Sequence, residues 1–167
     1  NTAELENAGW TGICIEAHPT DYQPPETFVK LASMGFAFQK VRPALTFSLR
    51  RALYAFDHIV QKAIPSAEAL PQIMEAAMRK NPKHWRSQYA EEDIFKWHFS
   101  FAGRVRYFWP LPAVQEAVYN LILTFDNLRI SEHILPESFP PGVLERSKGL
   151  AASRGPAIVQ NEVQGTL

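Results

Sequence analysis

The stretch Glu16 to Gln23 (EAHPTDYQ) places two carboxylates, an imidazole, a phenol and an amide close together. Glu16 and Asp21 offer oxygens for acid–base work or for binding, His18 a group that changes charge near neutral pH, and Tyr22 and Gln23 directional hydrogen bonds. The alternative for the same residues is structural, since short polar side chains in a loop cap helices and tie the loop down. Lys40 is a separate candidate. A desolvated amine there could form a Schiff base with a carbonyl substrate, whereas a lone Lys in a strand also serves as a salt-bridge partner.

The five histidines, His18, His58, His84, His98 and His133, show no pair at a spacing suited to joint metal ligation, so no complete metal site is expected within the chain; His18 could be one ligand of a site completed elsewhere, or a hydrogen-bonded loop histidine. Neither G-x-x-x-x-G-K-[ST] nor G-x-G-x-x-G occurs, which lowers the expectation of a nucleotide cradle. Two polar-aromatic clusters stand out: His84, Trp85, Arg86, Ser87 and Tyr89, then Arg104, Arg106, Tyr107, Phe108 and Trp109. Arginine beside aromatics can grip a sugar phosphate or stack at an interface. Alternatively, the aromatics are buried and the arginines snorkel or pair with carboxylates such as Glu91 or Asp93.

The elements that must position these groups follow from periodicity. Trp10 to Ala17 reads as a short buried strand, and the polar segment His18 to Pro25 as the loop at its end. Pro24 and Pro25 then open a helix that Gly35 stops. Phe36 to Val41 alternates as a second strand, and apolar residues at 45, 49, 52, 53, 56, 59 and 60 give a helix to about Ala63. This β-α-β-α order implies a parallel sheet covered by helices, either doubly wound or a (β/α)8 barrel, in which strand-end loops build the site.

Beyond Pro65 the chain is expected to be mainly α. Ser66 is the expected cap of a helix running to Lys80, and Pro112 opens one with Val114, Val118, Leu121, Ile122 and Phe125 on its apolar face. Ser131, Pro141 and Pro156 are expected to start shorter helices. The division is thus residues 1–64, βα units, and residues 65–167, a helical extension packed on them.

Composition narrows the class further. A hydrophobic content of 46%, with four Trp and eleven Phe, supports a real core. Basic and acidic residues balance at 17 each, so neither nucleic acid nor an anionic membrane is an expected partner. The single Cys14 excludes an internal disulfide; it is expected as a small buried residue of a protein in a reducing, cytoplasmic compartment. No apolar run reaches the roughly 20 residues of a membrane span. The first residue is Asn and a strand follows at once, as in the later part of a longer polypeptide.

Four segments in order carry a resemblance: E-A-H-P-T-D-Y-Q at Glu16 to Gln23, K-V-R-P-A-L-T-F at Lys40 to Phe47, H-W-R-S-Q-Y at His84 to Tyr89, and R-V-R-Y-F-W-P at Arg104 to Pro110. Together they resemble the non-catalytic subunit of class II D-tagatose-1,6-bisphosphate aldolase, a family once labelled tagatose 6-phosphate kinases. The resemblance implies the C-terminal part of a TIM-barrel-like (β/α)8 fold, with its last two strands here and an α-helical extension. It also implies a cytoplasmic bacterial accessory role in galactitol or N-acetylgalactosamine catabolism, with no cofactor in this chain and zinc in a partner, the class II catalytic subunit.

The family usually has Gly where Arg42 stands, Glu where Arg51 stands and an acidic residue at Gly103. Arg42 could contact an anion through its side chain in place of a close backbone approach. The ligand-binding candidates are therefore Glu16, His18, Asp21, Tyr22, Gln23, Lys40 and Arg42, for a sugar phosphate; no catalytic residue is assigned. The competing expectation is a stand-alone sugar-phosphate enzyme: a kinase, an isomerase or a Schiff-base aldolase.

Overall fold

The computed structural model describes residues 2–18, 20–128, 130–148 and 153–165. A short helix α1 (Thr2–Asn7) leads to β1 (Ile15–Ala17), α2 (Pro25–Ser33), β2 (Phe36–Gln39) and the long α3 (Pro43–Ala63). There follow α4 (Leu70–Lys80), α5 (Ile94–Phe99), α6 (Pro112–Asn127), α7 (Pro141–Ser147) and α8 (Arg154–Gln164), with 3-10 turns at Pro82–His84, Arg104–Tyr107 and Leu135–Glu137. The result is α/β, mostly helical, with one small parallel pair.

Prolines set several starts, because a missing N–H costs nothing in a first turn. Pro25, Pro43, Pro112 and Pro141 each begin a helix, and Gly35, at φ +90°, takes the left-handed turn after α2. β1 pairs with β2 in parallel, Ile15 opposite Phe36, Glu16 opposite Phe38 and Ala17 opposite Gln39, with an irregularity between Ile15 and Glu16.

The first strand is much shorter than the expected Trp10 to Ala17. Gly9 and Gly12 both adopt positive φ and turn the backbone out of the extended region, after the helix α1 that periodicity did not anticipate. Cys14, expected in the core, is exposed in this segment. Ser66 is not the cap of α4, which begins at Leu70 and is capped from α3. No helix starts at Ser131; turns lead to the 3-10 segment at Leu135, while α8 begins two residues ahead of Pro156.

Two adjoining cores hold the helices. The larger joins Leu53, Phe56 and Val60 of α3 to Leu70, to Leu121 and Phe125 of α6, to Phe139, and to Ile158 of α8. Phe56 and Phe125 stack with ring centroids 4.1 Å apart. The smaller core comprises Met74 and Met78 of α4 with Trp85, Trp97, Val105, Phe108 and Val114. Trp109 and Val118 pack against both. No described residue before Leu49 belongs to either core, so the strands stand beside the helical body, tied to it through α3 and through the loop after β1, whose Tyr22 reaches Phe101. Among the described residues no helix is long and apolar enough to cross a membrane.

Candidate functional site

The loop between β1 and α2 meets the chain leaving β2. Lys40 N–H donates to Ala17 O at 3.1 Å, and Thr20 N–H donates to Lys40 O at 3.1 Å, continuing the parallel ladder past the strand ends. The Thr20 hydroxyl reinforces it with a second bond to Lys40 O at 3.2 Å. Pro19 lies outside the described residues.

Asp21 caps α3 from a distance. Its Oδ1 accepts from the N–H of Arg42 at 2.8 Å and of Ala44 at 3.0 Å, satisfying donors that a helix N-terminus leaves open. Its Oδ2 is buried without a hydrogen-bond partner. Tyr22 sits at φ +61°, a left-handed conformation unusual for a bulky residue. Its hydroxyl donates to Phe101 O at 2.8 Å and its ring meets Phe47 and Phe101 edge-on, so two distant contacts hold the strained turn. Burial and the neighbouring Asp21 push the Tyr22 phenol above its ordinary value, opposed by the charges of Arg50 and Arg106.

Lys40 and Glu16 face each other with Nζ to Oε1 at 3.2 Å, the lysine about a third and the glutamate somewhat under half exposed. That is the salt-bridge alternative for Lys40. His18, Gln23 and the side chain of Arg42 are exposed. The strand mouth therefore brings Glu16 to Lys40 and Asp21 to the start of α3, ties Tyr22 to Phe101, and leaves an imidazole, an amide and a guanidinium open to solvent.

A buried polar group escaped sequence reasoning. Arg50, buried on α3, lies with its guanidinium 4.5 Å from the Phe47 ring centroid and 5.3 Å from that of Phe99. Beside it the Tyr54 hydroxyl is 2.6 Å from His98 Nδ1. Desolvation lowers the Arg50 and His98 pKa values and raises that of Tyr54. Spacing carried the signal: residues 46, 50, 53 and 57 recur at helical intervals, so Arg50 and Asp57 fall on the inward stripe that holds Leu53.

The two polar-aromatic clusters meet, with His84 stacked on Tyr107 at 4.9 Å. Trp85 and Phe108 are buried as the structural alternative requires, but the arginines do not pair with Glu91 or Asp93; Arg79 takes the former at 3.5 Å and Lys96 the latter at 2.9 Å. The three positions at which the resemblance leads one to expect another residue are each placed locally. Arg42 has φ −134°, outside the left-handed region that would call for glycine. Arg51 reaches Glu162 of α8 at 3.1 Å. A Cβ at Gly103 would meet Ser100 O at 3.0 Å and Trp97 O at 3.3 Å.

The fold and the strand mouth define an α/β protein of the parallel-strand type whose polar loop is fastened onto the helix that follows its second strand. Residues 4–167 match the family described as D-tagatose-1,6-bisphosphate aldolase subunit GatZ/KbaZ-like, and the chain belongs to that family. It is 27% identical over 162 residues to the D-tagatose-1,6-bisphosphate aldolase subunit GatZ of Salmonella paratyphi B, and equally to that of Salmonella newport. The matches cover 94% of this chain and 38% of each relative, so the chain spans well under half of their length. The crystal structure of a probable tagatose 6 phosphate kinase from Sinorhizobium meliloti superposes with a TM-score of 0.80 at 31% identity, covering 99% of this chain and 45% of that one.

Proposed function

We infer that this chain is part of a cytoplasmic accessory subunit of D-tagatose-1,6-bisphosphate aldolase, which stabilises and activates a class II catalytic chain in galactitol or N-acetylgalactosamine catabolism. The family match over residues 4–167 carries this reading. The geometry supports it, because the strand-mouth groups best suited to acid–base or Schiff-base work are engaged: Glu16 with Lys40, Asp21 on α3, Tyr22 on Phe101. On this reading zinc belongs to the catalytic chain and none to this one. β1 and β2 are the closing strands of a (β/α)8 barrel, and His18, Gln23 and Arg42 are the side chains left to meet a sugar phosphate at its mouth.

The test is cleavage of tagatose 1,6-bisphosphate by the catalytic chain with and without this protein, with the catalytic chain's thermal stability followed in parallel. Raised activity or stability that this protein alone does not reproduce is the expected result. No effect on either sinks the reading.

The likeness to a protein described as a probable tagatose 6 phosphate kinase favours, second, an enzyme acting alone on a sugar phosphate. ATP turnover with tagatose 6-phosphate, or borohydride trapping abolished by Lys40→Ala, would establish it in place of the accessory role.

A further inference from the structure

The two polar-aromatic segments have no part in the strand mouth, yet they fold into one surface. The rings of His84 and Tyr107 stack 18° from parallel. Beneath them Trp85 and Trp97 pack with centroids 3.9 Å apart, and Trp85 Nε1 donates to Met78 O at 2.7 Å, fixing the turn after α4 to the end of that helix. Above this rigid base lies an open depression of about 680 Å3, lined by Lys80, Lys83, His84 and Arg86 together with Asn81 and Ser87. On its Tyr107 side, Arg104 and Arg106 stand 5.9 and 4.7 Å from the ring centroid.

These cations are uncompensated. Among the described residues, Lys80, Lys83, Arg86, Arg104 and Arg106 have no carboxylate within ion-pair distance, while neighbouring Arg79 holds Glu75 at 2.8 Å. Arg106 spends its hydrogen bonds on Ala102 O, Gly103 O and the Tyr107 hydroxyl, none of which cancels its charge. Arg104 Nε is buried without an acceptor. The Arg106 hydrogen bond, opposed by burial and helped by the charges of Arg106 and Arg104, holds the Tyr107 phenol below its ordinary value. In a chain whose basic and acidic residues balance at 17 each, this is a local excess.

The shape selects the ligand class. A small molecule needs a concave site that buries most of its surface, and here the lysines, His84, Arg86 and Tyr107 are exposed around a shallow floor. Arginine and tyrosine on a rigid base, rimmed by lysine, suit the polar and aromatic anatomy of a protein interface with an oppositely charged partner. A nucleic-acid binder would be expected to carry a net basic charge, which this chain lacks.

We propose that the face formed by Lys80, Lys83, His84, Arg86, Arg104 and Tyr107 docks an acidic protein surface. The partner's identity rests on the accessory-subunit reading, which makes it the acidic face of the aldolase's catalytic chain.

The experiment titrates the catalytic chain into this protein by calorimetry at low and high salt, using the wild type, a double reversal Lys83→Glu/Arg86→Glu, and Lys30→Glu on the exposed face of α2 as control. A decaglutamate peptide and a decathymidylate are titrated alongside. The double reversal is expected to weaken the complex by about tenfold or more, most at low salt, with Lys30→Glu unchanged. Wild-type binding that survives the reversal overturns the docking face and leaves the accessory role intact. If the wild type fails to bind the catalytic chain, the accessory reading falls, and decaglutamate decides the face: salt-sensitive binding lost in the reversal upholds an acidic docking site, and no binding overturns it. Tighter binding of decathymidylate than of decaglutamate overturns it in favour of nucleic acid.

Discussion

At the scale of single residues, Asp21 shows how a side chain that looks catalytic is spent on structure. Its Oδ1 serves two N–H groups at the start of α3, those of Arg42 and Ala44. Asp21→Ala is expected to destabilise the protein by roughly 0.5–2 kcal/mol, and Asp21→Asn, which keeps an acceptor, by less. Urea unfolding checks this; an unchanged midpoint in the Ala variant would remove the cap from the account.

His98 gives a pH dependence. Burial holds its pKa below 6.5, reinforced by the charge of Arg50 and opposed by that of Glu75, and Tyr54 shares its hydrogen bond. The unfolded chain therefore takes up the proton first on acidification. Its contribution is fully present above the unfolded value and is lost as pH falls from about 6.5 toward the lower folded value. His98→Gln should flatten the stability profile in that window. A wild-type profile with the same slope as His98→Gln would refute the assignment.

At the scale of elements, three helices are capped by aspartates that lie elsewhere in the chain. Asp21 caps α3, Asp57 of α3 accepts from Leu70 N–H at 2.7 Å to cap α4, and Asp126 of α6 accepts from Gly155 N–H at 2.6 Å to cap α8. None of the three N-cap residues makes a side-chain cap bond of its own. A helix whose first turn is satisfied by another element is positioned as it is capped. Asp126→Ala should therefore cost about 0.5–2 kcal/mol while Ser153→Ala, at the N-cap position of α8, is nearly neutral. The reverse order in thermal melts would show that α8 is capped locally. Gly155 adds a steric limit, because a Cβ there would meet Asp126 Oδ1 at 3.1 Å and Ile122 Cγ2 at 3.2 Å.

This is also why sequence located the helices better than their fastenings. Prolines at first-turn positions and the apolar period of α3 and α6 are local signals: they put Pro112 at the start of α6 and the stripe through Val114, Leu121 and Phe125 on its buried face. Ser66 carried the same kind of local signal and misled, since the cap of α4 comes from thirteen residues away. The strand-mouth loop was legible as a polar segment after a strand. The tie of Tyr22 to Phe101, 79 residues on, and the meeting of Arg50 with His98 were not, because only the tertiary fold brings them together.

At the scale of the whole molecule, the two-stranded sheet is the least supported part of the structure. Parallel strands are ordinarily covered on both faces, and a two-stranded sheet is marginal in water without such cover. Here Phe38 of β2 is 61% exposed, as are Trp10 at 62% and Val29 of α2 at 72%, while Ala17 is the one strand residue buried. The helical body, by contrast, encloses Phe56, Met74, Trp97 and Val114 completely. Opening of the sheet should therefore occur well below the free energy of global unfolding. Hydrogen exchange on this chain is expected to show amides of residues 15–17 and 36–39 exchanging orders of magnitude faster than the core amides of α3 and α6. Equal protection of the two sets would mean that the strands and helices unfold as one unit. In a longer protein whose further strands pair with β1 and β2, as a completed barrel requires, the same strand amides should join the slow class, and failure to do so would count against the barrel.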